Sequence, residues 1–202
     1  FGEVAIFSAA GLILGQFGTE VVASHQISLA ITSMTFMIPL SVAMALTSMT
    51  GQRMGRMDYA SVLRVNRMGR IVVLGLMVVT SLLLFFSRYH IPQIFNSNPE
   101  IVHMSAGLII YSILFQLPDG LQISANGILR GMKDTKVPMY LGIASYWLIA
   151  FPLCYYLGVV KGMAAPGVWI GLIAGLTFAA IFLNIRLAIL SRRLPVDTAP
   201  IA

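Results

Sequence analysis

The sequence predicts an all-α polytopic membrane protein, a bundle of six transmembrane helices. Of its 202 residues, 58% are hydrophobic and only 10% are charged, with a mean hydropathy of +0.88. A soluble domain carries about 25% charged residues, so a water-soluble core does not account for this composition. Apolar runs of the length a bilayer requires, about 20 residues, recur along the chain. Each can satisfy its own backbone hydrogen bonds only as a helix. The charges are concentrated in the connections between these runs.

The expected spans, in order, begin with 1–17, which ends before Gly18. Phe1 already lies inside an apolar run, with no initiator Met and no basic leader, so this span is expected to be truncated and the chain cut from a longer protein. Span 23–49 opens at His25, expected as an interfacial hydrogen-bonding residue, with a proton relay as the alternative. Span 69–87 is rich in Val and Leu and stops at Arg88. Span 104–129 is apolar except for one polar strip. Span 138–157 starts at Pro138, and span 167–190 carries Gly167, Gly171 and Gly175. These glycines, like Gly11 and Gly15, fit small-residue helix packing. Cys154 is expected to be a small buried side chain.

Residues 51–70, 130–136 and 186–193 hold 11 of the 13 basic residues. With six spans these segments fall on one side, and only Arg88 and Lys161 fall on the other. By the positive-inside rule the basic side and the C-terminus are cytoplasmic. The basic balance therefore reads as topology, not as nucleic-acid binding. Met57, Tyr59, Val62 and Leu63 suggest a short helix lying on the inner membrane surface.

The residue that points to function is Asp119. A carboxylate at mid-span costs about 2.5–3.5 kcal/mol on insertion scales, so it is expected to face a cavity and handle a cation, a proton or a substrate. Pro118 has no N–H for the Leu114 carbonyl, which predicts a helix break beside the acid. Ser112, Gln116, Asp119, Gln122 and Asn126 follow at steps of three and four, on one helical face. That strip lines a cavity or forms an interhelical hydrogen-bond network. Glu3 and Asp119 each lie about 22 Å from the outer ends of their spans. Paired carboxylates raise each other's proton affinity, and a cation relieves their repulsion. His90 and His103 have no ligand-like spacing, and no motif of a metalloenzyme, nucleotide site or nucleophile elbow occurs. An enzyme is not expected.

Val21-Val-Ala-Ser-His-Gln-Ile-Ser, Phe36-Met-Ile-Pro39-Leu-Ser, Asp119-Gly-Leu-Gln-Ile, Gly127-Ile-Leu-Arg-Gly131-Met-Lys133-Asp134-Thr and Tyr146-Trp147 resemble the later spans of multidrug and toxic compound extrusion transporters, of the NorM-like bacterial branch. Phe1-Gly-Glu3-Val resembles the middle of their seventh span. The resemblance covers the whole chain, in order. It implies one lobe, the C-terminal six spans, of a twelve-helix pseudo-symmetric exporter in the bacterial inner membrane, whose N-terminal lobe is absent from this chain.

It further implies antiport of Na⁺ or H⁺ against cationic or amphipathic drugs by alternating access, with no cofactor beyond the coupling ion. Its partners would be the missing lobe, lipid and drug substrates. Glu3 and Asp119 fall on acidic, cation-binding positions, and Na⁺ could occupy them. Phe36 falls on a cavity aromatic, and Phe115, Gln116 and Gln122 are expected around the same cavity. Phe115 stands where such sequences often have Tyr, and Ala30 where many have Asn. Both changes remove an oxygen ligand, leaving protons as plausible as Na⁺. The alternatives are a lipid-linked oligosaccharide flippase of the same superfamily, which would need basic residues mid-span that are lacking here, and a non-transporting membrane subunit.

Overall fold

The computed structural model describes residues 2–195, with side chains from Ala5 onward. The elements are α1 (Gly2–Leu14, followed by a 3-10 turn, Gly15–Phe17), α2 (Thr19–Gly55), α3 (Tyr59–Ser87), α4 (His90–Phe95), α5 (Pro99–Gly131), α6 (Lys136–Val160) and α7 (Ala164–Arg192). Among the described residues, α2, α3, α5, α6 and α7 are long and apolar enough to cross a membrane. The first apolar helix, Ala5–Phe17, is shorter. The short α4 between α3 and α5 was not foreseen from the sequence. Its six residues (His-Ile-Pro-Gln-Ile-Phe) are too few to show a helical period.

α5 is the axis of the bundle, with α2, α3 and α7 packed around it. Half of its span is buried, as is half of α7, against 28% for the other three. Its start is set locally: Pro99 occupies the first turn, and the Asn98 side chain accepts from the Glu100 N–H at 3.0 Å. α2 and α5 run parallel. Ser24 lies by the Ile101 carbonyl and Ser28 by the Ser105 carbonyl, each at 3.4 Å. Further along, the Thr47 hydroxyl donates to Gly127 O at 2.9 Å. α3 returns antiparallel, with Thr80 against Gln116 and Met77 against Gly120.

The three basic segments meet at one end of the bundle. Asp134 and Arg186 pair at 2.8 Å, the Asn66 amide donates to the Ser191 hydroxyl at 3.1 Å, and Gly51 lies beside the Gly131 carbonyl. No separate surface helix forms there. α2 continues to Gly55 and α3 starts at Tyr59, leaving only a tight turn. Val62, read from sequence as membrane-facing, is fully buried. At 37 residues, α2 is about 55 Å long, well beyond a hydrocarbon core of about 30 Å, so the helices simply run past the membrane.

Glycine contacts also differ from expectation. A Cβ at Gly15 would meet nothing within 4 Å, and one at Gly11 only the Gln26 amide at 3.6 Å. Gly167, Gly171 and Gly175 do form a close face, seating the backbone of α6 at Leu157, Cys154 and Ser145. α6 is wound as a π-helix over Ser145–Ala150 and Tyr156–Val160. Gly127 and Gly131, which sequence reasoning did not single out for packing, hold α5 against α2. A Cβ on Gly127 would stand 2.6 Å from the Ala43 carbonyl oxygen, a backbone atom that cannot rotate away.

Gly127→Ala is therefore expected to cost about 1–3 kcal/mol of stability. Gly107→Ala, with open space around it, is expected to be nearly neutral. Thermal unfolding of the full-length protein in detergent compares the two, and equal midpoints would contradict the close α2–α5 contact.

Asp58, outside the spans, caps α3 by accepting from the Ser61 N–H at 3.1 Å, and it meets Arg53 at 3.4 Å. Its carboxyl is held below the usual carboxylate range, first by the Ser61 side chain, then by the Ser61 N–H, against desolvation, with Arg53 adding a lesser lowering effect. A depressed folded-state value gives stability that is present above the unfolded-state value and lost as pH falls through the folded one. The drop in unfolding temperature between neutral and acid pH should therefore be smaller in Asp58→Ala than in wild type. An equal drop would remove Asp58 from the acid response.

Candidate functional site

The strip predicted on α5 is buried: Ser112, Gln116, Asp119 and Gln122 are nearly inaccessible, and Asn126 is half-buried. Its members do not all share one cavity. They fan out between three neighbouring helices, because steps of three and four still drift around the helix axis.

Asp119 lines a pocket of about 190 Å³ between α1, α2 and α5, together with Phe7, Leu29, Thr32, Ser33, Phe36, Met37 and Phe115. Phe7 and Phe115 meet with their rings tilted, centroids 6.0 Å apart, closing one wall. The Thr32 hydroxyl donates to the Ser112 hydroxyl at 2.9 Å, so Ser112 supports the pocket by fixing a side chain that lines it. Phe36, Phe115 and Asp119 thus come together as the sequence suggested. Glu3 lies outside the described side chains. Its helix, α1, supplies Phe7 to the pocket wall.

Gln116 and Gln122 do not line this pocket. Gln116 Oε1 accepts from the Thr80 hydroxyl on α3, and Gln122 Nε2 donates to the Tyr146 hydroxyl on α6 at 2.7 Å. Both amides bind α5 to its neighbours, the network alternative read from their spacing. Asn126 Oδ1, also buried, has no hydrogen-bond partner among the described residues.

Pro118 is a correction. α5 is continuous through it. A proline inside a spanning helix is tolerated because packed neighbours hold the helix on course. Pro118 also points elsewhere than Asp119. With Leu114, Leu117 and Leu121 it lines a separate groove against Ile173, Thr177 and Asn184 of α7. Adjacent residues on a helix differ by about 100° in direction, so the acid and the proline face different helices. His25, expected at the interface, is completely buried against Trp169.

Thr32, Thr80 and Tyr146 were missed as partners of the strip. A signal existed for one: Ser24, Ser28 and Thr32 recur every four residues, marking a hydroxyl face on α2. For Thr80 and Tyr146 no sequence pattern gives the pairing.

A family model described as MatE matches residues 1–156. The chain belongs to the MatE family. Among curated relatives, it is 39% identical over 187 residues to a protein of Acinetobacter baylyi named probable multidrug resistance protein NorM, covering 93% of this chain and 42% of that one. A protein of the same name from Xylella fastidiosa is 38% identical over 192 residues, covering 95% and 41%. The chain thus spans about two fifths of the length of these relatives. In fold it matches the crystal structure of the eukaryotic MATE transporter AtDTX14 with a TM-score of 0.85 at 19% identity, covering 93% of this chain and 44% of that one. A MATE structure in the bent conformation matches at 0.88 and 16%, covering 99% and 45%. The fold is thus a multi-pass membrane bundle that matches a little under half of each of these structures.

Tyr146→Phe would leave the buried Gln122 amide without its acceptor, at an expected cost of about 1–3 kcal/mol. Thermal unfolding measures it, and an unchanged midpoint would show that the Gln122–Tyr146 bond does not hold α6 to α5.

Proposed function

We propose that this chain is the cation-binding half of a multidrug antiporter that exchanges H⁺ or Na⁺ for cationic or amphipathic drugs by alternating access. The observation that carries the reading is Asp119, a buried mid-span carboxylate that opens onto a pocket walled by Phe7, Phe36 and Phe115. An acid there binds a cation, and the cation's charge offsets the cost of an ionised group surrounded by apolar rings. Binding then biases the lobe between two packings, provided the ion prefers one of them.

The pocket offers the carboxylate and the hydroxyls of Thr32 and Ser33, and Thr32 already donates to Ser112. Phe115 adds no oxygen. This sparse set suits a proton, which needs only the carboxylate, and would hold Na⁺ only with oxygens from Glu3 or the other half of the protein. The exposed face of α2 supports a water-filled space beside the pocket. Ser33, Met37, Ser41, Met44 and Ser48 lie along it, and such a mixture of hydroxyls and flexible thioethers suits varied amphipathic molecules better than lipid. The reading places the protein in the bacterial inner membrane with its basic end cytoplasmic. No Arg or Lys lines the pocket, which disfavours a pyrophosphate-linked lipid as cargo.

Asp119→Asn in the full-length protein is expected to abolish drug efflux from reconstituted vesicles, under an imposed pH gradient and under an Na⁺ gradient, without loss of expression. Asn keeps the shape but neither holds a charge nor exchanges a proton. Efflux near the wild-type rate would reduce Asp119 to a packing residue.

A further inference from the structure

His25 has no part in the reading above, yet its surroundings are unusual. The ring is fully buried on α2, and neither nitrogen has a hydrogen-bond partner among the described residues. It meets the indole of Trp169 on α7 at 5.9 Å and 69°, and Trp169, also fully buried, has an unpartnered Nε1. A neutral imidazole presents one donor and one acceptor, and burying polar groups unpaired is costly.

The pair lies near two cavities. One, of about 420 Å³, is lined by Ser24, the residue before His25, by Tyr111 and Leu108 of α5, and by Ala165, one turn before Trp169. Toward the other, Trp169 meets Phe115 at 6.3 Å and 79°, and Phe115 is a wall of the Asp119 pocket. Leu108 belongs both to the first cavity and to the cluster around Trp169 and Phe115. Ring contacts therefore run from His25 to Trp169, to Phe115 and so to the Asp119 pocket, with the cavity beginning at Ser24, next to His25 in the chain.

We propose that His25 is a second proton-binding residue of this lobe, loaded from the cavity at Ser24 and separated from Asp119 by the Trp169–Phe115 pair. The vacant nitrogen takes a proton from water in that cavity, where the hydroxyls of Ser24 and Tyr111 provide polar footing. The imidazolium is then drawn from the edge of the indole toward its face. Trp169 shifts with it, and Phe115 follows, changing the wall of the Asp119 pocket.

Few other ionisable groups compete. α1 has none between Ala5 and Leu14, and α7 has none before Arg186. α6 brings Cys154, whose Sγ lies 3.2 Å from the Val168 carbonyl, and Tyr146, whose hydroxyl accepts from Gln122. On α5, Glu100 and His103 are exposed near the outer end, Tyr111 lines the cavity, and Asp119 lies beyond Phe115. On α2 itself, Glu20 is exposed in the first turn. In its consequence for transport, the proposal rests on Asp119 being the coupling acid.

The test uses the full-length protein with Trp169 as its one remaining tryptophan, the others, Trp147 included, replaced by Phe. An imidazolium in ring contact quenches excited indole, so emission should fall roughly two-fold as pH is lowered from about 8 to about 4. His25→Asn and His25→Gln should abolish the transition, and Asp119→Asn should keep it. A flat wild-type titration, or a transition that survives in both His25 variants, would overturn the proposal. Should both variants fail to fold, labelled-histidine NMR with the exposed His90 and His103 replaced reads the His25 ring directly. Invariant shifts over the same pH range would equally overturn it. In reconstituted vesicles, His25→Asn should shift the pH profile of efflux rather than eliminate transport. A wild type whose emission titrates but whose efflux ignores a pH gradient would leave the proton site standing and remove the role of Asp119 as proton coupler.

Discussion

Lipid chains are as apolar as leucine, so two helices in a bilayer gain little from hiding apolar surface and must be held by atoms that fit. In this lobe that constraint falls on α2 and α5. Ser24, Ser28, Thr32, Ala43, Thr47 and Thr50 on one helix meet Ser112, Gly127 and Gly131 on the other, or the backbone beside them. The hydroxyls of Ser24, Ser28, Thr32 and Thr47 share their one proton with a carbonyl of their own helix one turn back, as Ser28 does with Ser24 O at 2.9 Å and Thr47 with Ala43 O at 2.9 Å. The two backbones can therefore approach while Ser24, Ser28, Thr32 and Thr47 keep hydrogen-bond partners. Because α1, α3, α6 and α7 are arranged around this pair, the depth and direction of Asp119 follow from it.

The remaining polar side chains of α5 do a different job from the acid, although they share its face. In water Gln116 and Gln122 would be solvated; in a bilayer each must find a partner on another helix. Thr80 and Tyr146 are those partners, which ties α3 and α6 to the axis helix at nearly the depth of Asp119. The acid is thus bracketed by two interhelical bonds and opens toward α1 and α2. α6 reaches this position through its π-wound stretch, which contains Tyr146 and is seated on the glycine face of α7. π turns carry wider backbone hydrogen-bond rings and are frequent where a side chain must be re-aimed.

Length decides the architecture of the basic end. A basic, partly apolar connection is compatible with an amphipathic helix on the bilayer surface, and Met57, Tyr59, Val62 and Leu63 suggested one. That pattern has a second solution, in which two helices overrun the membrane and use their apolar residues against each other and against α7. Burial of Val62 and the bond from Asn66 to Ser191 show that the second was taken. The ion pair of Asp134 with Arg186 closes the same end. Local hydropathy cannot separate these outcomes, because Val62 is covered in both and only its partner differs.

Composition and spacing by themselves determined that the chain is a bundle of membrane-crossing helices, that its basic segments gather at one end, and that Asp119 is a buried acid on a polar face. Those properties follow from the cost of charges and unpaired backbone in lipid, which acts residue by residue and is legible in the order of residue types. The tertiary structure alone decided which helix each polar residue faces. It turned Gln116 and Gln122 away from the pocket, set Pro118 in an unbroken helix over a different groove, drew His25 from the surface into contact with Trp169, and brought Phe7 from α1 to Phe115. A residue's direction around its helix is known from sequence only to within a turn's drift. What occupies that direction depends on neighbours far along the chain, such as Thr80 for Gln116 and Trp169 for His25, and no local pattern encodes them.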